Sequence, residues 1–305
     1  MDFIYLIKII ILSIVEGLTE FLPVSSTGHL IITSNLLKLP DNHFMKLLLI
    51  VIQLAAILAV VLLYFHKLWQ VFLDLLRGKK AAINFWLKWI LASVPFVILA
   101  LALNKYIERY LFNNFTVALA LIVGGLLLYF GENYQVQNPT VSKIDDITYR
   151  QAFLIGCWQC LALFPGFSRS ASTIIGGWLV GLRTKLAAEF SFFLAIPLMF
   201  GASAYSFYKF HKIQQNLSSL GETLLAEKAA GLPFLHVGRE HFAAINSATW
   251  QYIYLVIACV VSFIVALIVV KAFLKYLAKN SLKHMALYRI TVGIILVLFW
   301  LANLR

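Results

Sequence analysis

Residues 16–30 read EGLTEFLPVSSTGHL, and they sit between apolar runs at 3–15 and 30–39. Two carboxylates, four hydroxyls and a histidine interrupt chain that otherwise has the composition of membrane-embedded helix. The whole sequence is 62% hydrophobic and 12% charged over 305 residues, with a mean hydropathy of +0.88. A water-soluble domain is about half apolar and about a quarter charged. Such a chain lacks the polar groups to cover a surface in water, so its solvent is lipid.

The formal net charge of +12 raises the question of a nucleic-acid partner. The basic residues, however, are spread over short connections between apolar runs and form no DNA- or RNA-binding motif. In a membrane protein this is the positive-inside bias, and no nucleic acid is expected. Cys157 and Cys160 make a lone CxxC in an apolar segment, with no second pair to complete a zinc site; packing cysteines are expected. The first apolar run leads into Glu16 and Gly17 instead of a small-residue cleavage site, so it is read as mature chain and not as a signal peptide.

A bilayer core about 30 Å thick needs roughly 20 apolar helical residues to cross it. Six stretches qualify: 44–65, 84–104, 115–131, 187–208, 250–270 and 286–303. Four others, 3–21, 27–38, 150–163 and 172–182, are too short or too interrupted. They form two pairs, joined at Pro23 and at Pro165-Gly166. Short apolar segments paired around a break suggest re-entrant hairpins.

The expected fold is therefore all-α and polytopic, a single membrane domain with six transmembrane helices plus two re-entrant helical hairpins. The first repeat would cover 1–131, with its hairpin at 3–38; the second would cover 148–303, with its hairpin at 150–182. Sliding the first by 142 residues sets Pro23 on Pro165 and Ser26 on Ser168. A hairpin returns to its own side, so each half crosses three times, and equivalent halves must be inverted. Inverted repeats place their broken helices near the midplane, where the two polar knots would face each other.

Lys and Arg number 14 around loops 66–83, 132–149, 183–186 and 271–285, Arg289 being counted as a flank. The other face carries 10, with Arg169 in neither group. The 14-side is predicted to be cytoplasmic, with both termini and a long extramembrane loop at 209–249 outside.

Glu16 and Glu20 are four residues apart, which stacks them on one helix face. A carboxylate at membrane depth costs about 2.5–3.5 kcal/mol on insertion scales, so two of them call for a cavity, a cation or a proton, unless they lie at headgroup level. Beyond Pro23, Ser25, Ser26 and Thr27 can cap the next helix. They can also share its free N–H groups and dipole with a phosphate. His29, three residues from Ser26, is a candidate acid/base.

The second knot, PGFSRSAST (165–173), carries Arg169, the only basic residue between Arg150 and Arg183. Arg169 either salt-bridges the hairpins through Glu16 or Glu20, or clamps a phosphate with its planar fork. Ser168, Ser170 and Thr173 would add hydroxyls or cap the helix. A bound phosphate would bring negative charge of its own. Two ionised glutamates beside it demand either a proton or a divalent cation. Mg²⁺ and Ca²⁺ both take oxygen ligands, and Glu16 with Glu20 would be the metal ligands.

Both knots closely resemble the two motifs of the bacterial undecaprenyl-diphosphate phosphatase family, also called the bacitracin-resistance proteins. The similarity extends through VIQLAAILAVV (51–61), TYRQAFLIGCWQCLALFPG (148–166) and EFSFFLAIPLMFGA (189–202). The resemblance implies hydrolysis of undecaprenyl diphosphate to the monophosphate, recycling the lipid carrier of cell-wall synthesis in the bacterial plasma membrane and conferring bacitracin resistance. It implies divalent-metal dependence, essential Glu16 and Glu20, Ser26 as nucleophile, His29 as assistant and Arg169 as the diphosphate-binding arginine. Ala171 stands where the family has glycine, and 209–249 is longer than the family pattern.

A transporter or flippase is the rival from another class, since inverted repeats with broken helices also serve transport. A lipid phosphatase with a histidine nucleophile does not fit, because residues 171–188 contain neither His nor Asp. Polyprenyl diphosphate and bilayer lipid are the expected partners. A homo-oligomer is left open.

Overall fold

Helix α1 (Phe3–Thr19) and helix α2 (Ser26–Leu36) form the first short pair. At 1.5 Å per residue they are about 25 and 16 Å long, short of a bilayer core. The computed structural model describes residues 3–111, 113–135, 141, 143–229 and 238–302; at 104, 108, 214, 217–229 and 238–249 the backbone alone is described.

Then come α3 (His43–Leu63), α4 (Phe65–Leu76), α5 (Lys80–Tyr106) and α6 (Asn114–Gly131). The second short pair is α7 (Tyr149–Gln159) and α8 (Arg169–Leu179), followed by α9 (Thr184–Ala229), α10 (Gly238–Leu277) and α11 (Lys283–Ala302). Among the described residues the only β pairing is a single bridge between Val141 and Leu182. Starts are set by side chains that satisfy free amides: Asn42 caps α3, Asn113 caps α6, and Thr148 with Gln151 forms a capping box on α7.

Six helices are long and apolar enough to cross a membrane, at His43–Leu63, Lys80–Leu103, Asn114–Tyr134, Thr184–Ile213, Trp250–Leu277 and Lys283–Ala302. These match the six expected spans. Their outer faces are apolar and uncovered, with Leu101, Val256, Ile268 and Phe299 exposed. That is the surface of a multi-pass membrane protein, whose exterior contacts hydrocarbon.

Two of the expected connections are largely helical. The 66–83 connection contains a helix, α4, with no buried residue and an exposed ridge of stacked Phe65, Trp69 and Phe72. Its apolar residues recur at i, i+4 and i+7, a helical period in a segment too short to cross. Of the 209–249 loop, 209–229 and 238–249 are helical and continue α9 and α10. No proline interrupts 198–229, and Ala, Leu, Glu and Lys there favour helix. Residues 230–237 lie outside the described residues.

The halves are interlocked. Helix α1 packs against α10, and α7 packs against α5, so the first helix of each short pair rests on a span from the other half. Glycines allow both approaches. A Cβ at Gly17 would meet the Ser262 carbonyl oxygen at 2.8 Å, and one at Gly156 would meet Cα of Ala92 at 2.9 Å. Helices α3 and α9 pack together, as do α6 and α11. The knots 20–25 and 164–168 are thereby held together inside the bundle.

Candidate active site

Ser25 and Ser168 cap α2 and α8 in the same unusual way. Both have left-handed φ, 74° and 78°, and each hydroxyl accepts from the amide three residues on, Gly28 and Ala171. Non-glycine residues avoid that region, and such strain concentrates at functional sites. Laid cap on cap, Ser25 falls on Ser168 and Ser26 on Arg169, a slide of 143 residues. The knots share a backbone and differ in chemistry: one offers a hydroxyl where the other offers a guanidinium.

Both groups converge on Glu20. Ser26 Oγ donates to Glu20 Oε2 at 2.5 Å. Arg169 Nη2 donates to Glu20 Oε1 at 2.6 Å, an ion pair with side chains 10% and 6% exposed. Arg169 Nη1 donates to the Ser191 carbonyl at 3.0 Å, and its Nε is buried without an acceptor. The salt bridge anticipated between the two knots therefore forms, to Glu20, and the Nε–H is among the guanidinium's N–H groups that have no acceptor.

Glu16 is fully buried, and its carboxyl lies beside that of Glu20. Neither Glu16 oxygen has a hydrogen-bond donor, so the headgroup-level alternative fails. Two adjoining buried carboxylates with one arginine between them are chemically unbalanced. An anion-compensating cation would fit here, with Glu16 and Glu20 as ligands. Among the described residues no group of three or more His, Cys, Asp and Glu side chains gathers. A Mg²⁺-type site supplies one or two carboxylates and takes its other oxygens from phosphate and water.

His29 is placed differently from the expectation. Its Nδ1 bonds the Ser25 carbonyl at 2.7 Å, and its Nε2 bonds the Tyr288 hydroxyl at 2.7 Å. A carbonyl only accepts, so Nδ1 carries the proton and Nε2 accepts from the tyrosine. The rings stack with centroids 5.6 Å apart. Neither nitrogen bonds Ser26.

The remaining hydroxyls divide between the caps and the knot. Ser25 and Ser168 are caps. Ser170 Oγ donates to the Leu22 carbonyl at 3.1 Å and lies 3.0 Å from Ser168 Oγ, joining the knots. Thr173 Oγ1 meets Ser191 Oγ at 2.6 Å and the Arg169 carbonyl at 2.9 Å, which ties α8 to α9. Thr27 is half-buried at the start of α2.

Sequence reasoning passed over Ser191, Tyr288 and Arg289. Arg289 was counted as a cytoplasmic flank, but it is fully buried. The signal was available: Arg289 is the only charged residue in the expected span 286–303, unusual enough in a membrane span to mark a functional position.

The fold and this centre define a class: a polytopic helical membrane protein whose two helix-breaking knots bring a carboxylate-bonded serine to an arginine. Residues 9–295 match the family model described as bacitracin resistance protein BacA. The chain belongs to that family. It is 40% identical over 293 residues to a Clostridium tetani protein named undecaprenyl-diphosphatase, covering 96% of each chain. It is 42% identical over 298 residues to one of the same name from Thermoanaerobacter sp. (strain X514), again covering 96% of each.

Proposed function

We propose that this protein hydrolyses undecaprenyl diphosphate to undecaprenyl phosphate and inorganic phosphate, and that it does so at the Ser26–Glu20–Arg169 centre. The observation that carries the reading is the Ser26 hydroxyl donating to Glu20, whose other oxygen is held by Arg169. A nucleophile bonded to a base that a third group orients is the arrangement that activates a hydroxyl.

In the proposed reaction Ser26 Oγ attacks the terminal phosphorus and passes its proton to Glu20. The bond from that phosphorus to the bridging oxygen breaks, and its electron pair leaves on undecaprenyl phosphate. Water then attacks the phosphoserine, the bond from phosphorus to Ser26 Oγ breaks, Glu20 returns its proton to that oxygen, and phosphate leaves carrying the water's oxygen and protons. Glu20 is favoured over His29 as the base because it is the group that Ser26 contacts. Arg169 turns part of its fork, beginning with the free Nε, to the phosphate oxygens as negative charge moves onto the leaving group.

Glu16 and Glu20 would hold a divalent cation, Mg²⁺ or Ca²⁺, which when bound offsets the charge of the phosphate oxygens. The buried, donorless Glu16 oxygens support that assignment.

The topology goes with this reading. Two short helix pairs, each resting on a span of the other half, are what two inverted repeats with re-entrant hairpins would produce. With Arg289 removed from the loop count, thirteen basic residues still face ten. This supports a cytoplasmic 14-side and a site opening to the outer face of the bacterial plasma membrane.

Phosphate release from undecaprenyl diphosphate by purified protein in detergent, without a membrane gradient, separates hydrolysis from transport. Wild type should release phosphate and lose activity with chelator, and Ser26→Ala and Arg169→Ala should be inactive. A wild type that binds the lipid without releasing phosphate would overturn the reading.

A further inference from the structure

Arg289 reaches both knots from a helix that belongs to neither. Its Nη1 donates to the Pro23 carbonyl at 3.1 Å, two residues before the cap of α2. Its Nη2 donates to the Phe167 carbonyl at 2.6 Å and the Gly166 carbonyl at 3.2 Å, just before the cap of α8. A longer contact, 3.5 Å, runs to Ala120 on α6. No carboxylate pairs with it among the described residues. A buried arginine normally has a counter-ion, and this one is bonded instead to main-chain carbonyls freed where the two helix pairs break.

The surrounding sequence makes room for it. Helices α6 and α11 approach through glycines: a Cβ at Gly125 would meet Ile290 Cγ1 at 2.7 Å, and one at Gly293 would meet the Ala118 carbonyl at 2.8 Å. A Cβ at Gly124 would overlap the Arg289 fork itself and come within 3.0 Å of the Phe167 carbonyl. The preceding residue, Tyr288, bonds His29 at the start of α2. One turn of α11 thus touches both knots, next to the residues that carry Ser26 and Arg169.

We propose that Arg289 is a positioning residue of the hydrolytic site, a planar cross-tie that fixes the Ser26 knot against the Arg169 knot. Ser26 and Arg169 belong to different halves of the chain, and their relative placement sets the line from nucleophile to phosphorus. A guanidinium spans both knots because its two terminal nitrogens point to separate acceptors; an ammonium is a single point and cannot. The tie also accounts for a positive charge placed next to an anionic site with no carboxylate to cancel it.

This inference rests on the proposed phosphatase activity, so wild-type phosphate release is measured first; its absence refutes that activity, not the tie. Arg289→Lys and Arg289→Gln are then compared per folded molecule, quantified by size-exclusion chromatography and thermal unfolding. Gly124→Ala pushes on the fork while leaving the charge in place. Misplacement of reacting groups by about 1 Å costs about 100-fold. Lys should recover most of the melting temperature lost in Gln, yet keep kcat about 10- to 100-fold down with KM within about threefold. Gly124→Ala should lower kcat in the same sense.

Spin labels at Leu36→Cys on α2 and Leu179→Cys on α8, with Cys157, Cys160 and Cys259 replaced by Ala, report the spacing of the two pairs. That distance distribution should broaden in Arg289→Lys. A lysine variant with wild-type kcat per folded molecule, or with an unchanged distribution, overturns the proposal. Failure of every variant to fold overturns it likewise, by assigning Arg289 to the fold alone.

Discussion

Glu20→Gln separates the two partnerships that meet on one carboxylate. The substitution keeps the shape of the side chain and removes its charge. A positioned general base contributes about 10²–10⁴ in rate, equivalent to about 3–5 kcal/mol of transition-state free energy. The Ser26 hydroxyl that donates to Oε2 at 2.5 Å would face a group unable to hold its proton, so kcat should fall within that range. The other oxygen accepts from Arg169 at 2.6 Å in a pair 6% and 10% exposed. A hydrogen bond to a charged group contributes about 1.5–3 kcal/mol, and Glu20→Gln should lower unfolding free energy by a similar amount. Arg169→Gln should cost at least as much by leaving Glu20 and Glu16 without their shared cation, and the double variant should cost less than the sum. The assays are phosphate release and unfolding in the same detergent. A Glu20→Gln enzyme keeping more than about a tenth of wild-type kcat would show that Glu20 is not the base. A coupling below about 0.5 kcal/mol would show that the ion pair does not join the hairpins energetically.

Further outcomes follow from the same geometry. Ser26→Ala should lower kcat by about 10³-fold or more and unfolding free energy by about 1.5–3 kcal/mol, because the hydroxyl bonds a buried carboxylate, and rapid quench of wild type should trap phosphate on Ser26; an active Ser26→Ala enzyme would end the covalent route. Glu16→Gln removes a buried carboxyl whose oxygens have no donor, so it should abolish stimulation by Mg²⁺ or Ca²⁺, read by titrating the cation into chelated protein. Tyr288→Phe takes one partner from His29 and should reduce kcat only by about fivefold, since neither His29 nitrogen bonds Ser26; a loss near that of Ser26→Ala would return His29 to the centre of the chemistry. Gly156→Ala forces α7 off the Ala92 backbone and should cost about 1–3 kcal/mol of stability, measured by thermal unfolding.

The sequence by itself determined the solvent, the six spans and the identity of the polar knots. Hydropathy over some 20 residues is a local property, and bilayer thickness converts it into topology. Glu16, Glu20, Ser26 and Arg169 were legible because polar groups in such a chain are costly and therefore conspicuous. What could not be read locally was which of them touch. A slide of 142 residues aligns the prolines, whereas the matched caps at Ser25 and Ser168 are 143 apart, a likeness of backbone dihedrals that residue names do not show. His29 is close to Ser26 in sequence, yet its nitrogens are taken by Ser25 and by Tyr288, 259 residues away. Arg289 looked like a loop flank until α6 and α11, packed through glycines, carried it inside. The stretch 16–30 marked a candidate site, but only half of one. Its arginine and the tie beneath it come from distant helices, and their distances depend on how apolar surfaces pack, which no local pattern encodes.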